Sequence, residues 1–428
     1  MNKSIRFYHL ILLFISPIVF LIFSVIENKL SKTIIFTIFG AIYGFLMVIQ
    51  DGNDSSRHIE NVSHYTELGL TSFLQILIKI LVFTKTDGFP KDIYAHIMYW
   101  ITGYIFKSKY LLFLFGGAIF GFFYGWSIEK IYKTVKISSH LILIILTIIL
   151  ITHRSFENIQ TLRSWTGMWY LCSSTLFFVF TTKKKAFVLI LLAPFFHLML
   201  GLILVPILIG IFIKRINYLI LVSLYISSFF ISFQSEILIK IVDDNEVVQE
   251  KVQMYSAKNV GGVMVDKLEE RTNKSSGNWY TKFGKTDSVY LVTNLFIILL
   301  LAILRLQPLF ISKETHQIIV IGIFIAIFAN YMDFSFAFYS RTMATASTFI
   351  YIGSIFLWSE VFKSKNKNLK LISRVKVGYY LASILIIPKI FLSISAFLTL
   401  MSFYIFFTPI LYFVTDNISV LSVIKLLI

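Results

Sequence analysis

Long apolar stretches without a single charged residue recur along the chain, and they restrict its fold more than any other feature. One example is YHLILLFISPIVFLIFSVI at residues 8–26, which is as long as the ~20 residues that an α-helix needs to cross a bilayer. This run lacks a small-residue cleavage site before Glu27 and is predicted to be a retained span rather than a signal peptide. No segment shows the short alternating pattern of an outer-membrane barrel, so the spans are predicted to be helical.

Composition agrees with this reading. Of the residues, 57% are hydrophobic and only 14% are charged, whereas soluble domains have about 25% charged residues. The sequence therefore predicts an all-α polytopic membrane protein with a single integral membrane domain over residues 1–428.

The distribution of positive charge predicts which connections face the cytoplasm. Short connections rich in lysine and arginine alternate with apolar runs, and the positive-inside rule places them on the cytoplasmic side. They are Lys29–Lys32, Lys130–Lys136, Lys183–Lys185, Lys214–Arg215, Arg305–Lys313 and Lys363–Lys376. The net charge of +17 thus reflects membrane orientation, and nucleic acid is not expected as a partner.

Two connections on the cytoplasmic side must be separated by an even number of membrane crossings. One apolar interval does not fit this rule. Residues 186–213 are apolar but too few for two full spans at about 1.5 Å rise per residue, so a broken or re-entrant hairpin is predicted near Pro194 and His197. The stretch SFLQILIKILVF at 72–83 contains Gln75 and Lys79, which favours an interfacial amphipathic helix. The run after Lys376 contains Pro388 and Pro409 and is compatible with one or two crossings. About 11–13 transmembrane or re-entrant helices are expected.

Four polar segments then share the non-cytoplasmic side. They are residues 51 to about 70, 152–165, 234–288 and 331–342. The segment 234–288 is the one large hydrophilic region and is predicted to be a large non-cytoplasmic (periplasmic) loop that encloses substrate, because loops of this length are usually functional or disordered.

Arginines occur next to predicted spans on this side, against the usual sorting bias. They are Arg57, Arg154, Arg163 and Arg341. Ion pairs are one explanation, with Arg154 pairing to Glu157 or Arg341 to Asp333. The alternative is a pyrophosphate-binding site at the membrane surface, because a planar guanidinium matches phosphate oxygens bidentately.

The histidines and the single cysteine restrict which kinds of functional site the chain can form. His197 lies in the apolar stretch LLAPFFHLML, where it is either a hydrogen-bonded packing residue or a functional group, since intramembrane ionisable residues are functional candidates. The other histidines on the predicted outer side show no metal-binding spacing. The single cysteine, Cys172, excludes an intramolecular disulfide and a cysteine-based metal site, so no metal and no cofactor are expected.

Four motifs, in this order and with consistent predicted sidedness, resemble the EpsG-like group of Wzy polysaccharide polymerases. The first is the polar segment DGNDSSRHIENVSHY, with Asp51 and Tyr65. The second is NIQTLRSWTG with Arg163, where the family often has glutamine and a small residue after its arginine but this chain has Ser164 and Trp165. The third is KKKAFVLILLAPFFH with His197, and the fourth is FAFYSRT with Arg341.

The resemblance implies a C-type glycosyltransferase fold acting in the bacterial cytoplasmic membrane, with its active site facing the periplasm or exterior. The enzyme would join polyprenyl-pyrophosphate-linked oligosaccharide repeat units into O-antigen or a related surface polysaccharide, without metal or nucleotide. A chain-length regulator and a flippase are implied partners. The implied groups are candidate catalytic residues His197, Glu157, Asp333 and Asp51, pyrophosphate-binding Arg163, Arg341, Arg154 and Arg57, and substrate-positioning Gln160, Asn158, His58 and Tyr339.

Two other functions remain open at this stage. A lipid-linked oligosaccharide flippase would carry charged residues in the middle of its spans, whereas most spans here are uncharged and the polar groups cluster on one side. An O-antigen ligase would also use outer arginines and a histidine.

Overall fold

The chain folds as a bundle of α-helices with short 3₁₀ segments. The computed structural model describes residues 7–86, 88–135, 140–213, 216–230, 259–260, 263–264, 288–305, 311–332, 336–364, 369–409, 412 and 417–427. The α-helices are α1 Phe7–Ile15, α2 Pro17–Glu27, α3 Lys32–Leu46, α4 Asp54–Ser63, α5 Leu70–Leu81, α6 Ile93–Trp100, α7 Leu111–Thr134, α8 Leu141–Thr152, α9 Ser164–Thr181, α10 Lys184–Leu191, α11 Met199–Phe212, α12 Tyr218–Ser227, α13 Ser288–Arg305, α14 Lys313–Tyr331, α15 Phe336–Lys363, α16 Leu369–Leu400 and α17 Val420–Leu427. A π-helix covers Ile101–Ile105, and 3₁₀-helices cover Phe156–Thr161, Ala193–Phe195 and Phe403–Phe406.

One small departure from helix occurs in the region predicted as the large loop. Strands β1 Asn259–Val260 and β2 Val263–Met264 pair antiparallel. The remainder of segment 234–287 lies outside the described residues. Apart from this two-residue pairing, the prediction of a helical architecture is confirmed.

Among the described residues, five helical stretches are long and apolar enough to cross a membrane. They are Leu111–Thr134, Leu141–Thr161, Lys313–Tyr331, Phe338–Lys363 and Lys370–Leu400. Shorter apolar helices accompany them, among them α2, α3, α11 and α12. The chain therefore has the helices of a membrane protein, and the total of 11–13 membrane segments stays a prediction.

Helix α15 forms the centre of the bundle, while α16 lies at its periphery. In the most apolar 18-residue stretch of each helix, 89% of the α15 stretch is buried inside the protein, against 22% of the α16 stretch. Helix α16 continues through Pro388, so the sequence after Lys376 forms one long helix up to Leu400. Proline has no N–H to donate, so the helix lacks one backbone hydrogen bond at this point.

Helices α3 and α7 pack with their backbones in direct contact. A Cβ added at Gly40 would overlap the carbonyl oxygen of Gly117, and one added at Gly121 would overlap that of Phe36. The four-residue spacing from Gly40 to Gly44 and from Gly117 to Gly121 places these glycines on one face of each helix, as in small-residue seams between membrane helices.

The predicted break in the apolar interval 186–213 is present. Helix α10 ends at Leu191, a 3₁₀ turn covers Ala193–Phe195, and α11 begins at Met199. The backbone of His197 is therefore outside regular α-helix, with Pro194 in the preceding turn. Both helices are too short to be full spans, as the sequence predicts for a broken pair.

Connections predicted to share the cytoplasmic side contact one another. Glu129 accepts hydrogen bonds from the Thr33 N–H (2.9 Å) and hydroxyl (2.8 Å), and the Ser312 N–H donates to Glu360 (3.0 Å). Residues predicted to lie on the opposite side, including His197 and Arg341, likewise meet (3.1 Å). This grouping agrees with the predicted sidedness, and which group faces the cytoplasm stays a prediction.

Candidate functional site

A buried carboxylate, Asp92, contacts side chains from two distant parts of the chain. Its side chain is 0% exposed and forms an ion pair with Arg163 through Oδ2. Its Oδ1 lies 3.2 Å from Nδ1 of His197 and accepts the Leu198 N–H at 2.8 Å. Asp92 therefore fixes the positions of both Arg163 and His197.

Arg341 completes this group by contacting the other nitrogen of His197. Its Nη1 lies 3.1 Å from His197 Nε2. A guanidinium only donates hydrogen bonds, so Nε2 accepts and the ring proton resides on Nδ1, where it is donated to Asp92. We call the residues Asp92, Arg163, His197 and Arg341 the arginine cluster.

Local backbone features bring these four side chains together. Arg163 is the residue before α9, and the preceding Leu162 has a positive φ of 52° that turns the chain out of the 3₁₀-helix. Asp92 is the residue before α6. His197 lies in the break between α10 and α11, and Arg341 lies near the start of α15.

The cluster has the charge and exposure of an anion-binding site. Within these four residues two guanidinium groups stand against one carboxylate, and His197 is neutral in this hydrogen-bond pattern. The Arg163 side chain is 31% exposed, so it is accessible while Asp92 is not. The first N–H groups of α9 follow directly after Arg163 and favour anions at the same place.

His58, a predicted positioning residue, lies beside this cluster on α4. It is buried and contacts the Tyr99 hydroxyl through Nδ1. Burial, followed by the positive charge of Arg163, lowers the pKa of His58 from 6.5 to about 4. His58 is therefore neutral at physiological pH, and its electrostatic coupling to Arg163 places it near the cluster.

Four other predicted site residues line a separate cavity of about 360 Å³. They are Arg154, Glu157, Asn158 and Gln160. Glu157 lies 2.5 Å from the Ser155 hydroxyl and 2.5 Å from the Ser393 hydroxyl, and it accepts the Asn158 amide at 2.7 Å. The ion pair that sequence spacing allows between Arg154 and Glu157 does not form, because the Arg154 guanidinium stacks on Trp165 at 3.9 Å from the ring centroid.

Three of the remaining predicted site residues are not part of either group. Arg57 is 70% exposed and pairs with Asp54 at 3.8 Å. Asp51 is exposed in the turn before α4, and Tyr339 is half-buried in α15 close to Arg341. Asp333 lies outside the described residues.

Asp92 was not among the residues singled out from the sequence. An acid directly before an apolar run has the position of a helix N-cap, and nothing nearby in KDIYAH distinguishes it from one. Its partners are 71 and 105 residues away along the chain, so only the tertiary structure reveals its role. Comparison of the chain with family models, with curated proteins and with solved structures gives no match.

Proposed function

We propose that the chain is a membrane glycosyltransferase that joins polyprenyl-pyrophosphate-linked oligosaccharide repeat units into a surface polysaccharide. The reaction would take place at the outer leaflet of the bacterial cytoplasmic membrane, in a C-type glycosyltransferase-like helical fold. The observation that carries this proposal is the convergence of Arg163 and Arg341 on the buried pair of Asp92 and His197. The resemblance to the EpsG-like polymerases identified the two arginines and the histidine, and it supports the choice of substrate.

The arginines would bind the pyrophosphate of the growing chain's lipid. Negative charge builds up on this group as the bond between the anomeric carbon and the pyrophosphate oxygen breaks. Donors that are already held in place stabilise such charge without reorganising during the reaction. Asp92 holds Arg163 by an ion pair, and planar guanidinium groups match the oxygens of a diphosphate.

His197 is the best-placed base for the acceptor hydroxyl. The hydroxyl oxygen forms the new bond to the anomeric carbon and must lose its proton, so a base has to lie within hydrogen-bond distance. His197 Nε2 carries the lone pair but is occupied by Arg341 at 3.1 Å. If Arg341 turns toward the bound pyrophosphate, Nε2 becomes free to accept the proton while Asp92 stabilises the imidazolium.

Purified protein and its own lipid-linked repeat unit test the proposal directly. A ladder of lengthening glycans on a gel is expected without nucleotide. Arg163→Ala and Arg341→Ala should each slow its formation by about 100-fold or more, the typical cost of losing one transition-state donor. Arg57→Ala, which removes an exposed arginine outside the cluster, is the matched control and should leave the rate unchanged.

Two results would contradict the polymerase, and a third would contradict its assignment to the arginine cluster. Transfer of the glycan only to a lipid-A-like acceptor would indicate a ligase. Movement of the lipid-linked unit across a vesicle membrane with no new covalent product would indicate a flippase. A ladder that forms equally well in both cluster variants would separate the reaction from these arginines.

A further inference from the structure

The cavity that contains Arg154 lies between helices α8, α13 and α16. Its volume of about 360 Å³ falls within the range of small-molecule sites, roughly 300–1,000 Å³. None of the four residues of the arginine cluster lines it. It is therefore a second candidate binding site with its own set of charged groups.

Arg154 is held in an unusual conformation at one wall of this cavity. Its φ is 55°, a left-handed value that costs a residue other than glycine about 1 kcal/mol or more. Its carbonyl oxygen accepts the Trp169 indole N–H at 2.9 Å, and its guanidinium lies 3.9 Å from the centroid of Trp165. The Nε atom is buried and has no hydrogen-bond partner among the described residues.

A second cation, Lys389, lies close to Arg154. Its Nζ is 5.0 Å from the centroid of Tyr290, and the Arg154 guanidinium is 5.9 Å from the centroid of the same ring. Two positive charges thus flank one aromatic side chain in the cavity wall. Glu157 is the carboxylate that lines the cavity, and since it is bonded by serine and asparagine donors it does not pair with Arg154. The Arg154 guanidinium therefore has no carboxylate partner among the described residues, which favours an anionic ligand.

The other walls of the cavity are apolar. They are formed by Ile149 on α8 and by Ile386, Ile390, Leu392 and Ala396 on α16. The rest of the protein buries only 22% of the most apolar stretch of helix α16. This side of the cavity therefore adjoins the surface that acyl chains would cover. The ligand that fits is an anion attached to an apolar chain.

We infer that this cavity binds the phosphate group of a membrane lipid, separately from the arginine cluster. Arg154 supplies the planar guanidinium donor, and Lys389 supplies the second charge. The isoleucines of α16 contact the lipid chain. Identifying this lipid as the second lipid-linked saccharide, the one that supplies the acceptor hydroxyl, rests on the proposed function, whereas the phosphate site itself does not.

Binding of polyprenyl phosphate to the full-length protein in neutral-lipid nanodiscs tests this inference. Native mass spectrometry gives the number of bound polyprenyl phosphate molecules, and titration gives the affinity for this lipid. Arg154→Ala and Lys389→Ala should each weaken this binding by about tenfold, as expected for loss of one charge-assisted contact. Lys376→Ala is the matched control, because Lys376 lies on the same helix over the ring of Tyr380 at 5.8 Å and outside the cavity. The affinity of Lys376→Ala for polyprenyl phosphate should equal that of the wild type.

Two further binding measurements distinguish a lipid phosphate from free phosphate and from an uncharged lipid. Neutral polyprenol should bind at least tenfold more weakly than polyprenyl phosphate, and inorganic phosphate should compete only weakly because it lacks the chain. Equal binding of polyprenol and polyprenyl phosphate would overturn the inference, as would unchanged affinity in Lys389→Ala and in the milder Lys389→Gln. Arg163→Ala should keep this binding site, so loss of polymerisation and loss of lipid binding are distinguishable.

Discussion

Arg341 occupies the nitrogen of His197 that faces away from Asp92, at 3.1 Å from Nη1 to Nε2. The imidazole is therefore held from both sides, with Asp92 accepting at Nδ1 and Arg341 donating at Nε2. In this arrangement the proton acceptor and the phosphate-binding group of the proposed reaction contact each other directly. Movement of one guanidinium would both bind the pyrophosphate and free the base.

Asp92→Asn is expected to separate the two functions of this carboxylate. The remaining oxygen of the amide can still accept from His197 and from the Leu198 N–H, as Oδ1 does now. The amide nitrogen then faces Arg163, donor against donor. Breaking a buried ion pair costs about 3 kcal/mol or more, so thermal unfolding in detergent should shift to lower temperature. Glycan assembly should fall at least as far as in Arg163→Ala, because the amide also lacks the charge that stabilises the His197 imidazolium.

A double-variant cycle gives this prediction its sharpest form. Because Asp92 would act on the reaction partly through Arg163, combining Asp92→Asn with Arg163→Ala should slow glycan assembly by less than the product of the two single effects. Asp54→Asn is the control, since it breaks an exposed pair with Arg57 at 3.8 Å worth at most about 1 kcal/mol. Additive losses in the double variant would argue against the Asp92–Arg163 unit.

The sequence predicted which residues form the site better than it predicted which of them lie together. Residues adjacent to apolar runs are recognisable from charge alone, and Arg163, His197 and Arg341 do come together. The separation of Arg154 from Arg163 was not predictable, because it depends on the 3₁₀-helix Phe156–Thr161 and on positive φ values at Arg154 and Leu162. Neither residue type normally adopts that conformation.

The glycine seam between α3 and α7 predicts a local effect on stability. In Gly117→Ala the new Cβ would overlap the carbonyl oxygen of Gly40, and since that atom belongs to backbone the helices must move apart. Overpacking of this kind costs about 1–3 kcal/mol. The midpoint of thermal unfolding in detergent should fall accordingly.

Gly201→Ala provides the comparison for this seam. A Cβ there would lie 3.6 Å from the Pro194 side chain, an ordinary contact. Alanine favours helix over glycine by about 1 kcal/mol, so this variant should be as stable as the wild type or slightly more so. If Gly117→Ala proved equally harmless, the helices would not be in the close contact described here.

His58 predicts a dependence of stability on pH. Its pKa is about 4 in the folded protein, against 6.5 without the burial and the nearby Arg163 charge. Below pH 6.5 the unfolded chain binds a proton that the folded chain does not, so the stability from neutral His58 is complete above pH 6.5 and declines as the pH falls toward 4. The full loss is about 3 kcal/mol.

The difference between wild type and His58→Gln isolates this contribution. Unfolding midpoints measured in detergent from pH 7.5 to pH 4.5 should fall more steeply for the wild type than for the variant. His64→Gln is the matched control, because His64 is exposed at the end of the same helix, and its profile should follow the wild type. Parallel profiles for wild type and His58→Gln would refute the assignment.

Cysteine labelling tests the orientation that the basic connections predict. Cys172 is 0% exposed, so background reaction of the wild-type protein with a membrane-impermeant maleimide should be low. Thr66 and Lys184 are both exposed and lie in connections predicted on opposite sides. In intact cells Thr66→Cys should react with the reagent, whereas Lys184→Cys should react only after the membrane is permeabilised. The reverse pattern would place the arginine cluster on the cytoplasmic side, and no lipid-linked substrate delivered to the outer leaflet could then reach it.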